Sequence, residues 1–156
     1  MRAKQFPKRD IKPDPKFNNV IVAKFINQIM RRGKKSLAQN LVYKTFDIIS
    51  EKEKTDPLEV FEKALKNVSP VLEVISRRIG GANYQIPIEV RGDRRMTLAM
   101  RWIIKAAQSK KGKQMPEKLA SELILAAKKE GSAMSKKEEV HRMAESNRAF
   151  AHFGRS

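Results

Sequence analysis

The chain has 156 residues, enough for one domain burying about 68–70% of its unfolded surface, and its 34 Lys/Arg against 17 Asp/Glu leave a formal charge of +17. It contains no cysteine, which excludes disulfides and thiolate metal sites and fits a reducing compartment. Its longest apolar run is the five residues Leu123 to Ala127, too short to span a membrane.

The charge is unevenly distributed. Residues 1–35 hold eleven basic and two acidic residues, and residues 77–115 hold ten and two. The intervening 36–76 holds five and seven, and 116–156 holds eight and six. Solvated surface mixes both signs, whereas blocks depleted of acids repel themselves unless counter-charge arrives. A polyanion, with nucleic acid foremost, is the implied partner.

Residues 1–17 carry Pro7, Pro13 and Pro15 among six basic residues. They are expected to run as an extended basic arm that orders along phosphates, with Lys4, Lys8, Arg9, Lys12 and Lys16 as contacts. The stretch lacks the apolar core of a secretory signal, and Asp10, Asp14 and the prolines oppose the amphipathic helix of a transit sequence. From Val20 the period turns helical. Ile21, Val22, Phe25, Ile26, Ile29 and Met30 form an apolar stripe, with Lys24, Asn27 and Arg31 opposite and Gly33 as the stop. Arg32, Lys34 and Lys35 extend the basic set. Ser36 and Gln39 have capping-box spacing for a second helix through Leu41, Val42, Phe46 and Ile49. Asp56-Pro57-Leu58-Glu59 reads as N-cap, first-position proline and first-turn acid of a third, which Pro70 closes.

Residues 71–91 change period. Tyr84, Ile86, Ile88 and Val90 alternate with Gln85, Pro87, Glu89 and Arg91 behind Gly80-Gly81, which predicts a protruding β-hairpin whose proline-bearing strand lies at an edge. Arg77, Arg78, Arg91, Arg94 and Arg95 flank it with no acid expected to balance them, and Tyr84 is expected near an accessible tip formed by Arg78, Gly80, Gly81, Ala82 and Asn83. A fourth helix follows Gly92-Asp93, packing Met96, Ala99, Met100, Ile103, Ala106 and Ala107 and presenting Arg94, Arg101, Lys105 and Gln108. Trp102 falls at the boundary of the two faces and reads as a half-buried core aromatic. Lys110, Lys111 and Lys113 make a basic loop around Gly112. The fifth helix is placed at Glu117–Glu130 with Gly131 as C-cap, and Ser135 with Glu138 gives a capping box for the sixth.

No catalytic constellation emerges. His141 and His152 share no carboxylate or cysteine cluster, Gly80-Gly81 lacks the rest of a phosphate-binding loop, and Glu62 with Lys66 is a helix-surface pair. The chain therefore reads as mainly α: one bundle-like, six-helix, nucleic-acid-binding domain with one hairpin between helices three and four. The arm covers 1–17, helices one to three 18–70, the hairpin 71–91, and helices four to six with a tail 93–153. It is expected to need no metal or cofactor and to have no membrane partner. Only 6% aromatic residues disfavour a single-strand binder built on stacking platforms. A duplex-DNA architectural protein with a basic hairpin arm is the alternative. An RNA-processing enzyme is disfavoured by the missing constellation.

Four ordered stretches, PDPKFNNVIVAKFINQIMRRGKKSLAQNLVY, SRRIGGANYQIPIEVR, TLAMRW and HRMAESNRAFAHF, resemble the bacterial-type small-subunit ribosomal protein seven family. The likeness runs from about Lys12 to Phe153. Arg32 stands where an acid is common, Gly92 replaces a usual proline, and Gly154-Arg155-Ser156 replaces an aromatic ending. The resemblance implies a primary binder of the 3′ major domain of 16S ribosomal RNA that nucleates assembly of the subunit head. It places the protein at the subunit interface beside exit-site tRNA and mRNA, with small-subunit proteins nine and eleven as neighbours, as a monomer within a cytoplasmic or organellar ribosome. It implies RNA contacts for the basic residues named above together with Asn27 and Met115, and tRNA proximity for the hairpin tip.

Overall fold

A computed structural model describes residues 10–155, with side chains to Gly154. Lys4, Lys8 and Arg9 lie outside the described residues. The elements are α1 (Val20–Ile29), α2 (Lys35–Glu53), α3 (Pro57–Val68), β1 (Leu72–Ile79), β2 (Ala82–Glu89), α4 (Gly92–Ser109), α5 (Met115–Ala127), α6 (Ser132–Ser146) and a 3-10 helix, Arg148–Arg155. The mainly α class and the single hairpin between the third and fourth helices are as expected from the sequence. Two compact units are present, Met1–Asn40 and Leu41–Ser156, with α2 contributing to both.

In the first unit a buried carboxylate shapes the approach to α1. Asp14 is 2% exposed, and its Oδ2 accepts from the backbone N–H groups of Lys16 and Phe17 at 3.0 and 3.1 Å. Its own carbonyl accepts from Asn18 N–H at 2.7 Å. Asn19 then caps α1, its Oδ1 accepting from Ile21 and Val22, a role worth about 1 kcal/mol. Val22, Phe25 and Ile26 of the expected stripe are buried.

Gly33 is not the terminator of α1. The helix stops at Ile29, with Met30 as C-cap, because Met30 leaves the helical region at ψ 130°. Arg31 therefore lies in the following loop and not on the polar face of a helix. The capping box at Ser36 is also unused. Ala38 N–H donates to Lys34 carbonyl, so Lys34 starts the ladder and Ser36 lies inside the first turn.

The second unit has its core among α3, α4 and α5, where Phe61, Leu65, Met100, Ile103, Leu119 and Leu123 are buried. Phe46 of α2 packs on Phe61 at 5.5 Å between ring centroids. Asp56 Oδ1 caps α3 as expected, accepting from Leu58 N–H at 3.1 Å. Asn67 near the end of α3 donates to the carbonyls of Ala126 and Ala127, at 3.0 Å each. It thereby supplies a side-chain donor to two carbonyls in the last turn of α5.

The α5–α6 junction corrects two sequence expectations. α5 ends at Ala127, where Lys129 takes a left-handed φ of 63°. Glu130 N–H returns to Leu125 carbonyl and Lys129 N–H to Ala126 carbonyl, the paired bonds of a Schellman end. Gly131 is instead the residue before α6, at φ 92°. A Cβ there would meet Glu122 Oε1 at 2.9 Å. Ser135 does not cap: its hydroxyl donates to the Gly131 carbonyl one turn back. The cap comes from the neighbouring helix. Glu122 is fully buried, and its Oε1 accepts from Ala133 N–H at 2.9 Å. Its Oε2 pairs with Lys110 Nζ at 2.6 Å. One carboxylate thus joins α5, the start of α6 and the basic loop after α4.

β1 and β2 pair antiparallel, Ile75 opposite Ile86 and Arg77 opposite Tyr84. Gly80 and Gly81 both have positive φ, 56° and 90°, as a two-residue type I′ turn requires. α6 rests against both strands and the 3-10 helix against β2. His141 on α6 ties down the hairpin base, its Nε2 accepting from Val71 N–H at 3.2 Å.

Removing the buried carboxylate by Glu122→Ala is expected to lower stability by about 2–4 kcal/mol in urea unfolding, since it orphans Ala133 N–H and leaves Lys110 unpaired. Glu122→Gln, which retains an acceptor, should lose less. Equal losses would detach the charge from the structural role. A pH effect follows from His141. Its pKa lies below the usual 6.5, first through burial and then through the charge of Lys137. The unfolded chain therefore takes up the proton first, and stability is expected to fall as pH drops below 6.5 towards the folded-state value. Melting temperature followed from pH 7.5 to 5.5 should decline less in His141→Gln than in the unaltered chain. Superimposable profiles would show that His141 contributes nothing to that decline.

Candidate nucleic-acid interface

In the first unit the cations gather at a turn. Arg31 carbonyl accepts from Lys34 N–H at 3.1 Å, and Arg32 and Gly33 take left-handed φ of 52° and 72°. Arg31, Arg32, Lys34 and Lys35 are all exposed around it. No acid occupies the first turn of α2, so Lys34 and Lys35 add positive charge where the helix dipole is already positive. An external anion relieves that arrangement; nothing among the described residues of the turn does. Lys24 and Asn27 are half-buried on α1, and Lys12 and Lys16 are exposed ahead of it. Lys16 Nζ lies 5.4 Å from the Phe17 ring centroid.

In the second unit the basic residues singled out from the sequence fall into two groups. Some are consumed internally. Arg94 donates through Nε and Nη2 to the Glu73 carboxylate at 3.1–3.3 Å. Arg95 Nε donates to Val90 carbonyl at 3.0 Å, and its Nη2 stands 3.8 Å from Glu89. Lys110 pairs with Glu122 and donates to the Ser121 hydroxyl at 3.3 Å. Arg77 Nη1 donates to Phe153 carbonyl at 2.9 Å. The expectation that no acid balances the hairpin arginines is therefore wrong for Arg94 and Arg95. Both balancing acids belong to the hairpin itself, and Glu73 lies just outside the block in which the charge was counted.

The other group is Arg78, Arg91, Arg101, Lys105, Lys111 and Lys113. All are exposed, and none forms an ion pair among the described residues. Arg101 and Lys105 occupy one side of α4 an α-turn apart, while Lys111 and Lys113 flank Gly112 in the following loop. Met115 opens α5 half-buried. Trp102 is half-buried, as its place at the face boundary suggests.

The hairpin tip is only partly available. Arg78, Gly80, Gly81, Ala82 and Asn83 are exposed. Tyr84 is not an accessible platform: Phe150 and Phe153 of the 3-10 helix pack on it at 5.2 and 5.7 Å. Gly154 lies against Ile86 and Ile88, where a Cβ would come within 3.3 Å of each side chain. The two phenylalanines at i,i+3 spacing were the sequence signal for this segment, since period three is that of a 3-10 helix.

Among the described residues no group of three or more His, Asp or Glu is placed to hold a metal ion, and no helix is long and apolar enough to cross a membrane.

Comparison with known proteins agrees with the architecture. Residues 1–148 match the family described as ribosomal protein S7p/S5e. The small ribosomal subunit protein uS7 of Thermotoga maritima is 60% identical over 153 residues, 98% of this chain and 99% of that one. The uS7 proteins of Dechloromonas aromatica and Caldanaerobacter subterraneus subsp. tengcongensis are 57% and 59% identical, covering 97% and 94% of both chains. With matched sequence extending through all six α-helices and the hairpin, the chain belongs to the ribosomal protein S7p/S5e family.

Proposed function

We propose that this chain is a structural, RNA-binding component of the small ribosomal subunit, holding ribosomal RNA by phosphate contacts from two separate basic surfaces. The observation that carries the reading is the division of cations in the second unit. Glu73, Glu89 and Glu122 neutralise the structural ones, while Arg78, Arg91, Arg101, Lys105, Lys111 and Lys113 are left for an external polyanion. Family membership supplies the polyanion: relatives of nearly equal length are small-subunit ribosomal proteins.

The RNA is the 3′ major domain of 16S ribosomal RNA, and binding there nucleates assembly of the head. Lys12, Lys16, Lys24, Asn27, Arg31, Arg32, Lys34 and Lys35 make one set of contacts, and the six unpaired cations with Met115 the other. Specificity comes from the shape of the folded RNA, because the major groove of an A-form helix is too deep and narrow for side chains to read. The exposed tip from Arg78 to Asn83 lies beside exit-site tRNA and mRNA at the subunit interface, with proteins nine and eleven adjacent. The chain acts as a monomer within a cytoplasmic or organellar ribosome and performs no catalysis.

About six to ten phosphate contacts give an expected log–log salt slope of roughly −4 to −9 in filter binding to a folded 16S fragment. A slope near zero, or equal competition by duplex DNA of the same length, would remove this reading. Within the second unit, Arg101→Gln and Lys105→Gln should each weaken binding and flatten the slope by about one. Arg94→Gln should leave affinity within about twofold and lower stability by about 0–1 kcal/mol, the scale of an exposed ion pair. Equal affinity losses from all three would overturn the division between structural and binding cations.

A further inference from the structure

α4 and α6 diverge around a cavity of about 510 Å³. Ligand cavities run from about 300 to 1,000 Å³, so this one has room for one nucleotide and not for a duplex. Its lining combines two chemistries. Leu98, Trp102 and Ala106 supply apolar surface, and Arg101, Lys105 and Lys136 supply three cations without an acid in the lining. Lys136 pairs with Glu139 at 2.8 Å outside the cavity, with its side chain still 46% exposed. The sequence favours a half-buried core aromatic at Trp102 over a base-stacking platform. Its half-burial at a cavity wall leaves ring surface accessible beside the two α4 cations.

We propose that this cavity receives a single unpaired nucleotide of the bound RNA, its base against Trp102 and its phosphate among Arg101, Lys105 and Lys136. The combination selects the ligand class. An aromatic wall gains from stacking on a base of any identity, and Arg101 and Lys105, which have no ion-pair partner among the described residues, together with Lys136 favour a phosphate over a neutral ligand. A paired base is already stacked in its helix, whereas a bulged one offers its face at little cost. The inference rests on the RNA-binding reading and adds to it one defined contact that is not simple phosphate neutralisation. Lys136, which lies outside both basic blocks, becomes part of the interface.

Trp102 is the chain's single tryptophan, so its fluorescence reports on the cavity directly. The full chain is titrated with an RNA hairpin carrying one bulged adenosine, with the same hairpin lacking the bulge, and with AMP, while filter binding records total RNA association. Saturable quenching by the bulged hairpin, at a concentration at least about tenfold lower than by the plain one, is the expected result. That preference should fall close to unity in Lys136→Glu, whose exposed position leaves folding intact, as checked by melting. If both hairpins bind but Trp102 emission is unmoved, the cavity assignment is overturned and the RNA-binding reading stands. If neither hairpin binds but AMP quenches, the site takes free nucleotides and the RNA reading fails. No association and no quenching would overturn both.

Discussion

Glu122 is the residue on which the second half of the molecule turns. A carboxylate with no exposure to water is tolerated only where its charge is met, and here the Lys110 ammonium faces Oε2 while Ala133 N–H donates to Oε1. The arrangement fixes three things at once: the approach of α6 to α5, the path of the loop after α4, and the need for glycine at 131. α6 in turn holds the hairpin base through His141, and the 3-10 helix closes over the hairpin's apolar face. The chain of dependence thus runs from one buried charge to the placement of the ribbon.

That dependence has a functional corollary. A chain at +17 must keep some cations for its own structure and leave others for its ligand. The structural ones are found where an acid can reach them within a fixed framework: Arg94 beside Glu73, Arg95 beside Glu89, Lys110 beside Glu122. The exposed cations assigned to the ligand include Arg101 and Lys105 on one side of α4, Lys111 and Lys113 in the loop after it and, in the first unit, those around the turn between α1 and α2. At that turn the field of α2 adds to the lysines instead of opposing them. Such surfaces lose free energy to self-repulsion in the isolated protein and recover it when phosphates bind.

Much of this was legible in the sequence because the signals were local. The Asp56-Pro57 start of α3, the α4 stripe from Met96 to Ala107 and the Gly80-Gly81 turn each depend on a few neighbouring residues. What was missed depends on long-range contact. Lys110 reads as one more cation in a basic loop until Glu122 is seen across the α4–α5 junction. Even so, Glu122 interrupts the apolar spacing of Leu119, Leu123 and Ala126, a sign that its side chain points inward. Arg94 and Tyr84 read as exposed because Glu73 is twenty-one residues away in the chain and Phe150 sixty-six away. The boundaries at Ile29 and Ala127 were misplaced for a different reason. α1 ends where Met30 turns extended and α5 where Lys129 adopts the left-handed conformation usually taken by glycine, and neither residue type marks a helix end in sequence, whereas the nearby glycines do.

The central claim, that internal acids divide the basic residues into structural and binding sets, is tested most directly by lysine acylation read out by mass spectrometry. The full chain is modified free and bound to its 16S fragment. Lys105, Lys111 and Lys113 should react readily in the free protein and become protected on the RNA. Lys110, one and three residues from two of them but paired with Glu122, should react slowly in both states and change little. Protection of Lys110 to the same degree as Lys111 and Lys113, from an equally reactive free state, would contradict the division.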